Sequence, residues 1–289
     1  MLLLPSHSTA QKQIDEVYGP PVFSIPISLP AAEKIETDQE GNIYLLSPSK
    51  HRLSKLLRAT AWDSVITVGG KGIREEGFNF PTQFHVPNRQ SLYVLDFQNR
   101  RLLKLNVNLK VMREINFLTL QGQVPDSEVS DLFPSAFAIG PTGELFLFNQ
   151  DDYKVYKFNI DGRFERAFAG VDYGEGSVND PCGIAMNSES NVFVMDCEEQ
   201  EVILYDLYGV YLYRLPVPVP FYWSKGKVSG RTIIYLDEEN LFFYNTFTKN
   251  AGPHLVAPEP ILDISFNGEF MFVLYENKVN LHRITKAEK

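Results

Sequence analysis

The sequence predicts an all-β chain of repeated four-stranded units closed into a ring. The first observation behind this is a six-fold echo, an apolar stretch ending in a polar residue: Ile43-Tyr44-Leu45-Leu46-Ser47, Leu92-Tyr93-Val94-Leu95-Asp96, Leu145-Phe146-Leu147-Phe148-Asn149, Val192-Phe193-Val194-Met195-Asp196, Ile233-Ile234-Tyr235-Leu236-Asp237 and Phe270-Met271-Phe272-Val273-Leu274-Tyr275. The second is spacing: the closing positions 47, 96, 149, 196, 237 and 275 lie 38 to 53 residues apart, near the ~40–50-residue period of a four-stranded blade. The third is composition, with 21 Phe and 14 Tyr among 289 residues, side chains that pack well on a pleated surface. Together they predict a six-bladed β-propeller, with residues 1–20 as an N-terminal tail and 21–289 as one propeller domain.

Each blade should place one strand before the echo, the echo as second strand, and two strands after it. Blade 1 covers about 31–68, its second strand introduced by the Gln39-Glu40-Gly41-Asn42 turn. Blade 2 starts at Phe80-Pro81, with Leu102-Leu103-Lys104-Leu105 as third strand; blade 3 starts at Phe133-Pro134, with an Asp161-Gly162 hairpin turn. Blade 4 starts at Pro181-Cys182-Gly183-Ile184. Blade 5 is the least regular, from about Tyr222 to Val256, with Leu241-Phe242-Phe243-Tyr244 as third strand. Blade 6, from Ile261 onward, supplies only three strands, while Val22-Phe23-Ser24-Ile25-Pro26-Ile27 precedes blade 1 and belongs to no unit. The two deficits match: the N-terminal strand is expected to complete blade 6 and cover its open edge, where Pro26 is tolerable because an outer strand needs no second ladder.

Net charge is −9, which disfavours nucleic acid as a partner. No segment approaches the ~18–20 apolar residues of a membrane-spanning helix. Met1-Leu2-Leu3-Leu4 followed by Ser8 and Ala10 resembles the end of a secretory signal, an apolar stretch running into small residues. The expected location is therefore periplasmic or secreted; a tail on a cytoplasmic protein is the alternative. Cys182 and Cys197 fall at the outer ends of one predicted hairpin, where opposed residues lie close enough for a cross-strand disulfide in an oxidising compartment; two free thiols are the other option.

Two connectors carry a family resemblance: Val68-Gly69-Gly70-Lys71-Gly72 with Gly77-Phe78-Asn79-Phe80-Pro81, and Phe168-Ala169-Gly170 with the stretch from Gly174 through Asn179-Asp180-Pro181-Cys182-Gly183-Ile184-Ala185. With Tyr93-Val94-Leu95-Asp96-Phe97-Gln98-Asn99-Arg100-Arg101-Leu102, they resemble NHL repeats, in which a glycine-rich loop leads to a proline, an apolar strand, a strand ending in Asp and an Asn-Arg turn. The likeness is close in blades 2 and 4, partial in 1 and 3, and faint in 5 and 6. It implies a six-bladed propeller whose relatives include protein- and RNA-binding modules, peptide-processing lyases and lactone or ester hydrolases. The aromatic strands and the Thr9-Ala10-Gln11 junction are also similar to exported Bacteroidota propellers that partner outer-membrane secretion and uptake machinery.

A metal-assisted lactonase or lyase would need hard oxygen ligands or histidines at the channel. Among the inner-strand candidates Glu33, His85, Ala136, Cys182, Tyr222 and Asp263, only Glu33 and Asp263 offer carboxylates, and both read more simply as rim charges. His7, His51, His85, His254 and His282 are scattered without ligand spacing. No nucleophile and base pattern stands out, and no cofactor is expected.

The sharper signal is charge placed by topology, since every turn joining second to third strand falls on one face of the ring. Blades 1 and 2 contribute Lys50, His51, Arg52, Arg100 and Arg101; blades 3 to 5 contribute Asp151, Asp152, Glu198, Glu199, Glu201, Asp237, Glu238 and Glu239. One sector is basic and the other acidic, a split that can steer and orient a protein partner; ordinary solvated turns are the bland reading. A second partner-binding candidate is Phe221-Tyr222-Trp223 after alternating prolines, an aromatic anchor if it faces outward. The expected function is a non-catalytic protein-binding propeller, an exported accessory subunit or plug-like partner of an envelope complex; the alternative is the metal-assisted lactonase or lyase.

Overall fold

The structure is a computed structural model that describes residues 19–125, 129, 131–217 and 226–284. Among these residues, 24 strands form six antiparallel four-stranded sheets. Blade 1 comprises β2 (Lys34–Thr37), β3 (Ile43–Ser47), β4 (Arg52–Leu56) and β5 (Val65–Gly69); blade 2 comprises β6 (Pro81–His85), β7 (Ser91–Asp96), β8 (Arg101–Asn106) and β9 (Val111–Asn116). Blade 3 holds β10 (Pro134–Ile139), β11 (Leu145–Asn149), β12 (Lys154–Phe158) and β13 (Phe164–Ala169), and blade 4 holds β14 (Pro181–Met186), β15 (Val192–Asp196), β16 (Glu201–Tyr205) and β17 (Tyr211–Pro216). Blade 5 contains β18 (Lys227–Ser229), β19 (Thr232–Asp237), β20 (Asn240–Asn245) and β21 (Asn250–Val256). Blade 6 contains β22 (Asp263–Asn267), β23 (Phe270–Leu274) and β24 (Lys278–Arg283).

The fourth strand of blade 6 is β1 (Pro21–Pro26), paired antiparallel to β24 with Phe23 opposite Leu281 and Ile25 opposite Val279. The ring is thus closed by the N-terminal strand, as the matching deficits require. Ile25 and Ile27 pack into the cluster between blades 6 and 1, with Ile35, Leu45, Trp62, Phe272 and Val279.

The echo strands read as continuous apolar runs because both of their faces are covered. Successive side chains of β7 go to different clusters: Leu92 and Val94 pack with blade 1, while Tyr93 and Leu95 pack with blade 3. The same division recurs around the ring, giving a hydrophobic cluster at each of the six blade junctions. Blade 5 is shorter at its inner edge than the sequence suggests, β18 having only three residues. One helical turn, α1 (Phe117–Gln121), follows blade 2 and buries Phe117 and Leu120, its start capped by the Asn116 side chain.

The polar residue that closes each echo has a structural job in three blades. Asp96, fully buried, accepts from the Asn79 backbone N–H at 2.6 Å and the Arg101 Nε at 2.8 Å. Asn149 accepts from Phe133 N–H at 2.6 Å, and Asp196 from Asn179 N–H at 2.7 Å. Each side chain ties the end of the second strand to the connector entering its own blade, satisfying backbone donors where no ladder can reach them. Gly69 shows why that connector is glycine-rich: at φ +114° a Cβ would lie 2.2 Å from the His51 carbonyl oxygen.

Candidate functional site: the turn face and the channel

The connectors and the turns between second and third strands share one face of the ring. Five of these turns contain a non-glycine residue in the left-handed region: His51, Arg100, Tyr153, Gln200 and Glu238. This common geometry sets side by side most of the charges singled out in the sequence, and their burial then separates them into two groups.

Lys50, Arg52, Asp151, Glu198, Glu199, Asp237 and Glu238 are exposed. Lys50 and Arg52 form the basic part, on blade 1; the acidic residues occupy blades 3, 4 and 5. The remaining charges are committed to the fold. Arg101 is buried, with Nε on Asp96, Nη1 on Glu114 at 2.7 Å, and Nη2 on the carbonyls of Arg74 and Gly77. Its assignment to the partner-binding surface is therefore corrected: register sets it directly opposite Asp96, on the inward side of the strand. Arg100 is half-buried, paired with Asp131, bonded to the Leu132 carbonyl and lying over the Phe133 ring. His51 accepts the Phe80 N–H on Nδ1. Asp152 bonds the Asn149 amide, the Lys154 N–H and the Tyr156 hydroxyl. Glu201 pairs with Arg214 at 2.8 Å, and Arg214 in turn holds the connector carbonyls of Glu175 and Ser177, the part Arg101 plays in blade 2. Glu239 is half-buried, and its carbonyl accepts from Ala257. Phe221, Tyr222 and Trp223 lie outside the described residues.

The channel is walled by the first strand of each blade, an inner edge whose outward N–H groups have no ladder partner. Side chains from the neighbouring blade take these donors. Asp263 Oδ2 accepts the Ile35 N–H at 2.9 Å across the junction of blades 6 and 1. Glu36 accepts the Val86 N–H at 2.6 Å between blades 1 and 2. Gln83 bonds both the N–H and the carbonyl of Phe137 between blades 2 and 3. Lys227 of blade 5 adds an ion pair to Asp263 at 3.1 Å, and His85 lies 3.3 Å from Glu36. Burial alone would raise the Glu36 carboxyl, but His85, Lys227 and the Val86 N–H together hold it below the usual carboxylate range. Burial alone would lower the Lys227 ammonium, and Asp263 and Glu36 instead keep it above its ordinary value.

The two weak metal candidates do not meet. Asp263 is spent on Ile35 and Lys227, with Oδ1 buried and unbonded among the described residues, while Glu33 is exposed before β2. Among the described residues, no three His, Cys, Asp or Glu side chains gather in a metal-holding group. What sequence reasoning missed is the channel cap set Glu36, Gln83 and Lys227. Gln83, Ala136, Gly183 and Asp263 each pair with the residue one before the echo's close, so they occupy one level of the ring, a level that sequence spacing alone does not report.

The predicted cysteine pair is a disulfide, Cys182 to Cys197, with Cα atoms 5.8 Å apart. It links the start of β14, at a register shift after Pro181, to the turn that carries Glu198 and Glu199.

No family model and no curated protein sequence matches the chain. Solved structures match it in fold. A gluconolactonase from Xanthomonas campestris aligns with a TM-score of 0.65 at 12 % identity, covering 93 % of this chain and 92 % of that one. A catalytically inactive virginiamycin B lyase from Staphylococcus aureus, solved with quinupristin, aligns at 0.58 and 10 % identity over 90 % and 83 % of the two chains. A chain of the mitotic checkpoint complex aligns at 0.61 and 8 % identity over 99 % and 97 %. The chain is a six-bladed β-propeller, a class whose structural neighbours here include two enzymes and a subunit of a multiprotein assembly.

Proposed function

We propose that this propeller is a non-catalytic protein-binding module, NHL-like in its repeats, exported and acting as an accessory subunit or plug-like partner of an envelope complex. The observation that carries the reading is the division of the turn face. Lys50 and Arg52 stand exposed on blade 1, and Asp151, Glu198, Glu199, Asp237 and Glu238 stand exposed on blades 3 to 5, a pattern suited to orienting a partner of complementary charge. The channel carboxylates Glu36 and Asp263, by contrast, are engaged in joining blades. The Cys182–Cys197 disulfide supports export, because such bonds persist outside the reducing cytosol.

The test is association with the partner isolated from the native envelope fraction, for the wild type and Lys50→Glu/Arg52→Glu. Exposed turn charges contribute only ~0–1 kcal/mol to folding, so thermal unfolding should be unchanged while association falls and its salt dependence weakens. Binding that is insensitive both to the reversal and to salt would overturn the reading. Thiol counting on the same material addresses location: two free thiols would contradict export.

A further inference from the structure

Blades 1 and 2 carry the same side-chain pair at the same place in the repeat. Tyr44 stands opposite Lys55 on β3 and β4, and Tyr93 opposite Lys104 on β7 and β8; each lysine lies over its tyrosine, with Nζ 5.0 Å and 5.5 Å from the ring centroid. Blade 1 completes its pair internally. The Asp38 carboxylate accepts the Tyr44 hydroxyl at 3.0 Å and lies 3.8 Å from Lys55 Nζ, which also donates to the Val107 carbonyl of the next blade at 2.9 Å. Neither completion is present in blade 2. The turn that corresponds to the one bearing Asp38 is Val86-Pro87-Asn88-Arg89-Gln90, which has no carboxylate. The carbonyl that corresponds to Val107, at the second position of the matching turn in blade 3, is that of Ile160, and Arg113 Nη1 takes it at 3.3 Å. Tyr93 is only 8 % exposed, yet its hydroxyl has no hydrogen-bond partner among the described residues, and half-buried Lys104 has there neither a hydrogen bond nor an ion pair.

Register adds a second cation. Arg113 on β9 is directly opposite Lys104, where Cβ atoms stand ~4.5–5.5 Å apart and like charges destabilise a sheet. Blade 1 has Ile66 at that place, and in blade 3, where Lys157 faces Arg166, Glu165 neutralises the lysine at 2.8 Å. Only blade 2 of these three leaves its lysine without an anion. Between blades 2 and 3, Tyr93, Lys104, Arg113 and Asn159 line a recess of about 40 Å³, several times the ~10–15 Å³ that one water needs. A buried hydroxyl and two cations thus face a space that supplies no carboxylate to accept from them.

We propose that this recess is a carboxylate-binding site, in which the carboxylate of a ligand does for blade 2 what Asp38 does for blade 1: it accepts the Tyr93 hydroxyl and pairs with Lys104 and Arg113. The recess has room for the carboxylate head of a ligand, the rest of which extends through the open mouth. That head can belong to a free small acid or to an acidic residue of another chain. The site adjoins the 159–163 turn, opposite the charged turn face, and stands apart from the reading of that face.

The probe is sodium acetate, titrated into the ¹⁵N-labelled full chain at constant ionic strength, with neutral acetamide as the control of equal shape. Acetate should shift the amides of Tyr93, Lys104, Arg113 and Asn159 saturably while those of Tyr44 and Lys55 stay in place, and acetamide should shift none of them. Tyr93→Phe removes the hydroxyl alone, and Lys104→Met/Arg113→Met removes both charges and keeps apolar stems; each, its fold checked by the rest of the spectrum, should weaken acetate by about tenfold or more. Nα-acetyl-aspartate methylamide separates the two sources: binding tighter than acetate assigns the carboxylate to an acidic residue of another chain, and weaker binding assigns it to a free small acid. No saturable shift at the recess, an equal response to acetamide, or unchanged affinity in either folded variant would each overturn the assignment.

Discussion

Adjacent arginines in one turn do different work, and the difference is one of register. Arg100 ends the turn in the left-handed region and leans on blade 3, while Arg101 opens β8 opposite Asp96 and is buried with it. Truncating one partner of a buried ion pair leaves the other charge uncompensated, typically at a cost of ~3–5 kcal/mol. Arg101→Ala should therefore lose several kcal/mol in equilibrium unfolding, and it also releases the Arg74 and Gly77 carbonyls that hold the connector. A loss under about 1 kcal/mol, the range of exposed pairs, would contradict the structural role. In the sequence both arginines read as turn charges, because a charged pair beside an Asn gives no sign of which one faces inward. Only the length of the turn, which decides the residue paired with Asp96, separates them.

The elements were the most legible part of the chain. The echo strands, buried on both faces, leave continuous apolar runs that no amphipathic helix would produce, and β3, β11 and β15 coincide with them residue for residue. Blade 5 was read less well because β18 is short and β21 carries Gly252 and Pro253, which blur strand periodicity. The closing strand was legible by subtraction, a blade lacking a strand and a strand lacking a blade. Its energetic role follows from what it covers: removing residues 1–29 would strip Ile25 and Ile27 from the cluster at blades 6 and 1 and bare the edge of β24. Burying two isoleucines is worth ~1.5–3 kcal/mol each, so the truncated chain should unfold at clearly lower temperature and associate through its open edge. Thermal unfolding of the truncated chain that matches full length would refute closure by β1.

At the scale of the whole molecule, the ring is closed by packing at six junctions and locked at its inner edge by side chains that cross between blades. These caps were invisible in sequence because they depend on which residues of different blades share a level, something composition and spacing do not report. They also make ring stability respond to acid. The folded Glu36 carboxyl lies below its ordinary value of 4.5, so its contribution is present above that pH and is lost as pH falls through the lower folded value. Unfolding temperatures of wild type and Glu36→Gln should therefore differ at pH values above about 4.5 and converge as the pH falls below it; a gap that persists unchanged in acid would show that Glu36 does not act through its charge.

If the turn face is the working surface of this propeller, a bound partner covers it. Hydrogen exchange of the chain, free and in complex with the partner proposed for it, is the measurement that decides this. Exchange should slow in the turns at 48–52, 150–153, 197–200 and 237–239, with the opposite-face turns at 159–163 and 206–210 unchanged. Protection confined to those opposite turns or to the outer strands would contradict it.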